Sequence, residues 1–212
     1  MKVITLMNQK GGVGKTTLAL SLAARWHLMG HSVSIVDADP QQAVVFWKKQ
    51  QAENSRLAEI DVYSVKLPAE IRGSRNLKSD YVIIDTPGTD KMIGRSALNA
   101  SDALLIPVQP SSLDVQASAA SVQTALASGK PTVYVVNRFV SQTQLGKDVM
   151  SSLQNTPVTV LRKAMGQYQA FPRSMGVGET PCTMFPGGAA SRNIEAVGQA
   201  VDIWLEACHE ES

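Results

Sequence analysis

The sequence predicts an α/β fold, a doubly wound and mainly parallel sheet that carries helices on both faces. Five apolar runs rich in β-branched residues alternate with segments of helical periodicity, and parallel strands need such crossover helices between them. A glycine-rich loop follows the first run, and aspartates end two of the others. Because open parallel sheets bind ligands at the carboxyl ends of their strands, these residues predict a site there.

Length and composition favour one domain spanning residues 1–212. The chain has 212 residues, 44% of them apolar, with 20 Lys and Arg against 18 Asp and Glu, so nucleic-acid contact would need a local basic patch. Cys182 and Cys208 lack the spacing of a disulfide framework or a metal site. Met1 leads directly into the first strand, without a signal peptide or N-terminal DNA-binding extension, and no run is long enough to span a membrane. We therefore expect a cytoplasmic protein.

The stretch 8–17, here called the phosphate loop, reads Asn-Gln-Lys-Gly-Gly-Val-Gly-Lys-Thr-Thr after the strand at residues 3–7. Its glycines let backbone N–H groups approach a phosphate, and the helix that follows points its positive end at the same anion. Lys15 can reach the terminal phosphates, and the Thr16 hydroxyl is placed to bind Mg²⁺. The predicted nucleotide contacts are Lys10, Gly11, Gly12, Val13, Gly14, Lys15, Thr16 and Thr17.

The next elements bring two carboxylates to a strand end. Apolar residues at helical spacing predict a helix over 17–29, which Gly30 stops, and a strand follows over 32–37. Asp37, Ala38, Asp39 and Pro40 mark the turn from this strand to a helix. An alternative stays open, in which Asp37 caps the helix and Asp39 forms the turn.

The middle of the chain predicts a polar helix over 41–54, a weakly patterned strand over 60–65 and a helix over 68–77 broken near Gly73. The strand over 81–85 ends in Asp85, followed by Thr86, Pro87 and Gly88. An apolar strand ending in aspartate has the form of a Walker B strand, whose carboxylate stands beside the bound Mg²⁺. The segment 86–88 is then a second switch.

The last predicted elements are a strand over 103–108, a helix that Asp114 begins or caps and that runs to about residue 127, and a strand over 132–137. From Ser141 the pattern thins to a helix over 144–153, a short strand over 158–161 and a final helix over 190–208. The glycine- and proline-rich loop 175–188 is long for a compact domain, so we expect it to recognise a nucleotide base or to be an irregular surface segment.

One position departs from the general phosphate-loop pattern Gly-x-x-x-x-Gly-Lys-[Ser/Thr]. The first glycine is replaced by Gln9, and a second lysine, Lys10, precedes Gly11. Lys-Gly-Gly-x-Gly-Lys-Thr is the deviant Walker A motif, and here the chain resembles the ParA/MinD family of P-loop ATPases. In that family the extra lysine reaches across a dimer to the partner's nucleotide. Without the resemblance, the favoured interpretation of Lys10 is a flexible, solvated lysine beside a loop.

Three further motifs carry the resemblance: the aspartates 37 and 39, the segment 85–88, and Pro107 followed by Pro110 and Asp114. The resemblance implies an Mg²⁺-dependent ATPase. Asp37 would support the metal through its water shell, Asp85 and Thr16 would hold it, and Lys10, Lys15 and Asp39 would be catalytic, with Asp39 orienting the attacking water. Asn137 and Pro181 would lie near the adenine.

The chain looks most like the small ParA-type ATPases of plasmid partition. That resemblance implies an ATP-dependent homodimer, non-specific DNA binding on the nucleoid, and a centromere-binding partner of the ParB type that stimulates hydrolysis. The segment 138–192 is the candidate DNA surface, with six basic residues (Arg138, Lys147, Arg162, Lys163, Arg173 and Arg192) against two acidic ones, Asp148 and Glu179. An ordinary solvated face is the alternative.

Other members of this group remain as alternatives. MinD-like relatives bind membranes through a basic C-terminal helix, whereas this chain ends in acidic residues after Arg192 (Glu195, Asp202, Glu206, Glu210 and Glu211). The nitrogenase iron-protein branch needs cluster-binding cysteines, and the two cysteines here lie late in the chain. Another cargo-positioning ATPase and a metabolic P-loop ligase acting on a small acid stay open.

Overall fold

The computed structural model describes residues 1–140 and 143–210, and within these ranges seven strands form one sheet. The strands are β1 (Lys2–Leu6), β2 (Val33–Asp37), β3 (Asp61–Ser64), β4 (Tyr81–Asp85), β5 (Ala103–Val108), β6 (Thr132–Val136) and β7 (Thr159–Val160). All neighbours pair in parallel, in the order β3-β2-β4-β1-β5-β6-β7. The predicted parallel sheet is confirmed. Ser141 and Glu211, named in the predictions, lie outside the described residues.

Helices cover both faces of the sheet, as predicted. They are α1 (Lys15–Leu28), α2 (Ala43–Lys49), α3 (Pro68–Ile71), α4 (Lys91–Ala100), α5 (Ser112–Ala127), α6 (Gln144–Gln154), α7 (Ala170–Met175), α8 (Pro181–Met184) and α9 (Ala189–Glu210). Trp26 of α1 and Val201 of α9 share one core with Ile4, and Val122 of α5 packs with Leu104 in a core on the other face. Among the described helices, none has the length and apolar character needed to cross a bilayer.

The structure contains a helix that the sequence reading left out, α4 between β4 and β5. Its polar residues and Gly94 dilute the apolar pattern, which explains the omission. Two signals could have found it: Asp90 accepts hydrogen bonds from the backbone N–H groups of Met92 and Ile93 as an N-cap, and the buried residues Ile93, Ala97 and Ala100 recur at helical spacing.

Several element boundaries differ from the prediction. The helix expected over 41–54 is confined to α2, where Val44 and Trp47 are the buried residues. The break predicted near Gly73 is confirmed, since a 3₁₀ helix (Arg72–Asn76) follows α3. Helix α5 begins at Ser112, two residues before Asp114. The loop 175–188 contains α8 and is packed against the core, because its helix contacts α1, α7 and α9, so it is not an irregular surface segment.

The parallel arrangement brings the loops after β1, β2, β4, β5 and β6 to one edge of the sheet. In the register of the strands Asp37 lies opposite Asp85, and Leu6, the last residue of β1, lies opposite Asp85 on its other side. The phosphate loop therefore sits between the chain segments that follow β4 and β5. This edge gathers the predicted site residues that follow these strands.

Candidate functional site

The phosphate loop has the backbone of an anion-binding nest. Gly12 and Gly14 adopt positive φ angles of 73° and 93°, which side chains with a Cβ rarely accept. Within the described residues, the backbone N–H groups from Gly11 to Thr16 donate no hydrogen bond. Because these donors lie at the N-terminus of α1, they offer an unpaired positive surface to a phosphate.

Lys15 is folded back onto the phosphate loop. Its Nζ donates hydrogen bonds to the carbonyl oxygens of Asn8 at 3.1 Å and Lys10 at 3.2 Å. The residue is 7% exposed. Burial lowers the pKa of its amine, an effect that the negative charges of Asp85 and Asp39 oppose. The ammonium group thus stands among carboxylates at the mouth of the loop, where terminal phosphates would offer it stronger acceptors.

Asp85 and Thr16 are the residues of this sheet edge that could hold Mg²⁺. The Thr16 hydroxyl donates to Asp85 Oδ2 at 2.6 Å, while Asp85 Oδ1 is buried and has no hydrogen-bond partner in the described chain. Burial is the largest cause that raises the pKa of Asp85, to about 7, and the Thr16 hydrogen bond lowers it. A hydroxyl beside a carboxylate oxygen without a donor fits Mg²⁺, a hard cation that prefers oxygen ligands.

The described residues contain no cluster of three His, Cys, Asp or Glu side chains able to hold a metal by themselves. Mg²⁺ is ordinarily bound through one or two protein ligands, several waters and the phosphates of a nucleotide. The pair of Asp85 and Thr16 suits such a site. The metal would therefore arrive with the nucleotide.

Asp37 and Asp39 occupy different environments. Asp37 is fully buried and accepts hydrogen bonds from the backbone N–H groups of Val44 and Val45 at 3.0 Å and of Asp39 at 3.2 Å. Burial raises its pKa, and these hydrogen bonds lower it. Asp37 therefore anchors the N-terminus of α2, as the capping alternative expected, and its support of metal-bound water stays a prediction.

Asp39 is the half-buried carboxylate of this pair. Its Oδ1 accepts the N–H of Gln41 at 2.9 Å, and its charge acts on both Lys15 and Asp85. Asp39 thus combines the turn geometry of the alternative interpretation with a position from which its charge acts on Lys15. A carboxylate there can accept a proton from water or orient it.

Lys10 is held within its own chain. Its Nζ lies 2.8 Å from Asp114 Oδ1, and the exposed fractions of the two side chains are 40% and 6%. Asp114 is therefore a buried carboxylate in the first turn of α5 that meets the outer rim of the phosphate loop. Sequence reasoning named Asp114 only as the start or cap of its helix.

The second switch packs directly on the phosphate loop. The Thr86 hydroxyl donates to the Leu6 carbonyl at 2.7 Å. A Cβ on Gly88 would come within 2.7 Å of the Gln9 carbonyl oxygen, so only glycine fits. Beyond Gly88 a cleft of about 860 Å³ opens between α4 and α5. A movement of the segment 86–88 would therefore displace the phosphate loop.

Asn137 and Pro181, the two residues expected near the adenine, have different surroundings in the structure. Asn137 is 4% exposed, and its Nδ2 donates to the Val13 carbonyl at 2.9 Å, so it touches the phosphate loop. Pro181 is buried in α8, which packs on α1, α7 and α9, and the carbonyl of neighbouring Glu179 accepts from Trp47 Nε1. Adenine contacts by Asn137 and Pro181 stay predictions.

Sequence reasoning missed Gln109, the residue between Val108 and Pro110. Its Nε2 donates to the Gly12 carbonyl at 2.6 Å. The signal available in the sequence was its position, directly after a buried strand that ends at the same sheet edge as the phosphate loop.

The basic segment 138–192 and the acidic C-terminal end both contain charged side chains that make contacts within the chain. In the segment 138–192, Arg192 donates to the Gly187 carbonyl and the Arg173 guanidinium stacks 5.5 Å from the Phe185 ring centroid, whereas Arg162 and Lys163 are exposed. Among the terminal acidic residues, Asp202 and Glu195 both pair with the buried Arg25. Fewer of the basic side chains are therefore left to contact DNA than the count of six suggests.

Comparison with curated proteins finds relatives named for carboxysome distribution and for inhibition of sporulation initiation. The chain is 27% identical over 175 residues to "Maintenance of carboxysome distribution protein A" of Gloeobacter kilaueensis, covering 82% of this chain and 77% of the relative. It is 31% identical over 148 residues to "Sporulation initiation inhibitor protein Soj" of Bacillus subtilis, covering 51% of this chain and 58% of Soj. The chain thus spans little more than half of the Soj protein.

Solved structures share the fold at low sequence identity. A putative plasmid partition protein from Borrelia burgdorferi bound to AMPPNP superposes with a TM-score of 0.77 at 18% identity, covering 97% of this chain and 99% of that one. The septum site-determining protein MinD of Pyrococcus horikoshii, complexed with Mg-ADP, gives 0.76 at 17% identity, covering 95% and 96%.

The family comparison covers most of the chain. Residues 4–181 match the family described as the CobQ/CobB/MinD/ParA nucleotide binding domain. This range includes the phosphate loop with both lysines, the aspartates at the ends of β2 and β4, and Gln109 and Asn137 after β5 and β6. The chain therefore belongs to the CobQ/CobB/MinD/ParA nucleotide-binding family, whose ParA and MinD members are ATPases.

Proposed function

We propose that this protein is an ATP-dependent DNA partition ATPase. ATP binding would drive homodimerisation and non-specific DNA binding, and hydrolysis, stimulated by a small centromere-binding partner, would reset the cycle. The observation that carries the proposal is Lys10, a second lysine at the rim of a loop whose phosphate-binding amine is already supplied by Lys15. A lysine that the single site does not need is available to a second protomer.

The hydrolytic step follows from the groups at the sheet edge. The backbone N–H groups from Gly11 to Thr16 bind the phosphates, Lys15 neutralises charge on them, and Thr16 with Asp85 hold Mg²⁺, which supplies further charge neutralisation when bound. Asp39 orients the attacking water. Phosphoryl transfer depends mainly on positioning and charge, so these residues, together with Lys10 of a second protomer, form a sufficient set.

The lysine pair supports control of assembly by nucleotide. In the structure Lys10 pairs with Asp114 of its own α5. In the proposed dimer it would instead reach the phosphates of the partner's nucleotide, so that ATP links two protomers. Nucleotide then acts as a switch as well as a substrate.

A substitution at Lys15 tests whether nucleotide binding is the basis of everything else. Lys15→Ala should abolish ATP binding because it removes the ammonium group nearest the phosphates. Equilibrium titration with a fluorescent ATP analogue measures this. Normal affinity in a folded Lys15→Ala protein would remove the central claim.

DNA retention under three nucleotide conditions tests the partition role. The dimer formed with ATP should retain duplex DNA, and the protein with ADP or without nucleotide should not. If the segment 138–192 contacts about four phosphates per protomer, log affinity should fall with log salt at a slope of about −3.6 per protomer. Equal binding with ATP and ADP, or no salt dependence, would argue strongly against DNA partition.

A cargo-positioning ATPase is the second candidate, favoured by one comparison. The carboxysome distribution protein matches over 77% of its own length, whereas Soj matches over 58%. Both roles predict ATP-controlled assembly, so the cargo separates them. Loss of a plasmid from cells lacking this protein would favour partition, whereas stable plasmids with a misplaced cellular body would favour cargo positioning.

A further inference from the structure

Two amide side chains hold successive carbonyl groups of the phosphate loop. Gln109 Nε2 donates to the Gly12 carbonyl at 2.6 Å, and Asn137 Nδ2 donates to the Val13 carbonyl at 2.9 Å. The two amides come from different parts of the chain, directly after β5 and β6. Both amides therefore approach the loop on the side that bears the carbonyl oxygens of Gly12 and Val13.

Peptide geometry turns these contacts into control of the N–H groups. In a planar trans peptide the carbonyl and the following N–H point in opposite directions. Fixing the Gly12 carbonyl toward Gln109 turns the Val13 N–H away from it, and fixing the Val13 carbonyl toward Asn137 does the same for the Gly14 N–H. Within the described chain neither N–H donates a hydrogen bond, so both are presented to a ligand.

The Asn137 amide has one orientation available to it. Its Oδ1 accepts the N–H of Arg138 at 2.8 Å while its Nδ2 faces the Val13 carbonyl. The fit is close, because a Cβ on Gly14 would lie 1.9 Å from that Nδ2. With 4% of the residue exposed, the amide is held by its surroundings and the nitrogen must face the loop.

The backbone at Gln109 is positioned by its neighbours. The carbonyl of Pro107 accepts from Asn8 Nδ2 at 2.9 Å, which ties the end of β5 to the start of the loop. Pro110 follows Gln109 and restricts its backbone to extended conformations. The glutamine is thereby held beside Gly12.

We propose that Gln109 and Asn137 are positioning residues that aim the Val13 and Gly14 N–H groups at the phosphates of the bound nucleotide. Asn137 then acts on the phosphate loop and does not read the base. The inference rests on the proposed ATP binding and deepens it. It predicts that both residues matter for polyphosphate binding whatever base is attached.

Binding of three probes tests the assignment: Mg²⁺ with ATP, with GTP and with inorganic tripolyphosphate, measured by calorimetric titration. Gln109→Met and Asn137→Leu keep approximate shape and remove the donor. Each should weaken all three probes by the same factor, about tenfold for one hydrogen bond to an aligned loop, and leave the ATP-to-GTP ratio unchanged. Gln116→Met, on an exposed position of α5, should bind like wild type.

Two results would overturn the assignment. Unchanged affinity for all three probes would show that the loop does not need the amides. A loss for ATP with tripolyphosphate binding intact would make Asn137 a base contact. If Asn137→Leu does not fold, Gln109→Met carries the test, and Asn137→Ser, which keeps a donor, should bind more tightly than Asn137→Ala. Failure of the wild-type protein to bind any probe would instead refute the proposed function.

Discussion

At the scale of single residues, hydrogen bonding divides the work between two buried carboxylates. Asp37 and Asp85 lie opposite each other in the register of β2 and β4. Three backbone N–H groups satisfy Asp37, whereas Asp85 keeps one buried oxygen without a donor. A buried oxygen that lacks a partner destabilises the fold, and a bound cation would remove this penalty. Asp85 is thus the better metal ligand of the two.

The raised pKa of Asp85 predicts a pH-dependent stability in the absence of Mg²⁺ and nucleotide. Burial raises the pKa to about 7 in the folded chain, against about 3.9 when unfolded. Between these values the folded state binds more protons, so the free energy of unfolding should fall as pH rises, by up to about 1.4 kcal/mol per unit. Urea unfolding in EDTA between about pH 5 and about pH 8, which covers the upper part of this window, measures the slope. The free energy of unfolding of Asp85→Asn should depend less on pH than that of the wild type. An identical slope in the two proteins would show that Asp85 does not titrate in this pH range.

The pair of Lys10 and Asp114 predicts a restraint on dimerisation. Lys10 must leave Asp114 before it can reach another protomer, and a partly exposed ion pair contributes up to about 1 kcal/mol. Asp114→Asn should therefore tighten the dimer formed with a non-hydrolysable ATP analogue by up to about thirtyfold, because two such pairs, one in each protomer, must open. Sedimentation velocity measures the dimer dissociation constant. Asp148→Asn, an exposed carboxylate on α6, serves as the control, and a weaker Asp114→Asn dimer would mean that Asp114 acts within the interface.

Sequence reasoning located this site's residues better than their contacts. Motif spacing identified Lys15, Thr16 and Asp85, and the hydrogen bond between Thr16 and Asp85 agrees with it. It could not identify the roles of Gln109 and Asp114, because each depends on where the segment after β5 meets a loop about 100 residues earlier. No local pattern records such a contact.

At the scale of elements, α9 supports the helix that follows the phosphate loop. Arg25 of α1 is 4% exposed and donates to Asp202 Oδ2 at 2.6 Å and to Glu195 Oε1 at 3.0 Å. The indole Nε1 of Trp26 donates to the other oxygen of Asp202 at 2.7 Å. Position 198 of α9 faces Arg25 and requires glycine, since a Cβ there would lie 2.3 Å from Arg25 Cδ. The C-terminal helix thus fixes the position of α1.

Removal of Asp202 should be strongly destabilising. Asp202→Ala leaves the buried Arg25 guanidinium with Glu195 as its remaining acceptor and the Trp26 indole N–H without its acceptor, which we expect to cost about 2–4 kcal/mol. Urea denaturation measures the loss. Glu206→Ala removes an exposed carboxylate from the same helix and should change stability by less than about 0.5 kcal/mol. Equal losses in the two variants would contradict a specific role for the contact with Arg25.

Element prediction succeeded where burial imposes a strong period and failed where packing decides. Strands β1, β2, β4, β5 and β6 are almost entirely buried and were found as apolar runs. Helix α8 has four residues and is held by contacts with α1, α7 and α9. Such a turn has too few residues for any periodicity, so its glycine- and proline-rich segment reads as a loop.

At the scale of the whole molecule, the site edge carries exposed apolar side chains. Leu67 follows β3, and Met92 and Leu113 lie in the first turns of α4 and α5; their exposed fractions are 60%, 71% and 71%. All three belong to segments that follow the carboxyl ends of strands and so lie on the side of the sheet that bears the phosphate loop. Apolar residues around a charged site suit a face that a second protomer covers.

The roles proposed for Lys10 and Asp39, which would act from different protomers, predict opposite defects in assembly. Lys10→Ala should bind nucleotide but remain monomeric with ATP, because the group that crosses to the partner is lost while Lys15 and the loop N–H groups remain. Asp39→Ala should dimerise with ATP and stay dimeric, because the carboxylate that orients water is lost while the phosphate contacts remain. Light scattering after gel filtration with ATP, combined with phosphate release, measures both properties. Lys49→Ala, an exposed lysine of α2, should behave as wild type. A dimeric Lys10→Ala protein would return that lysine to the solvated role, and wild-type turnover in Asp39→Ala would assign the attacking water to another group.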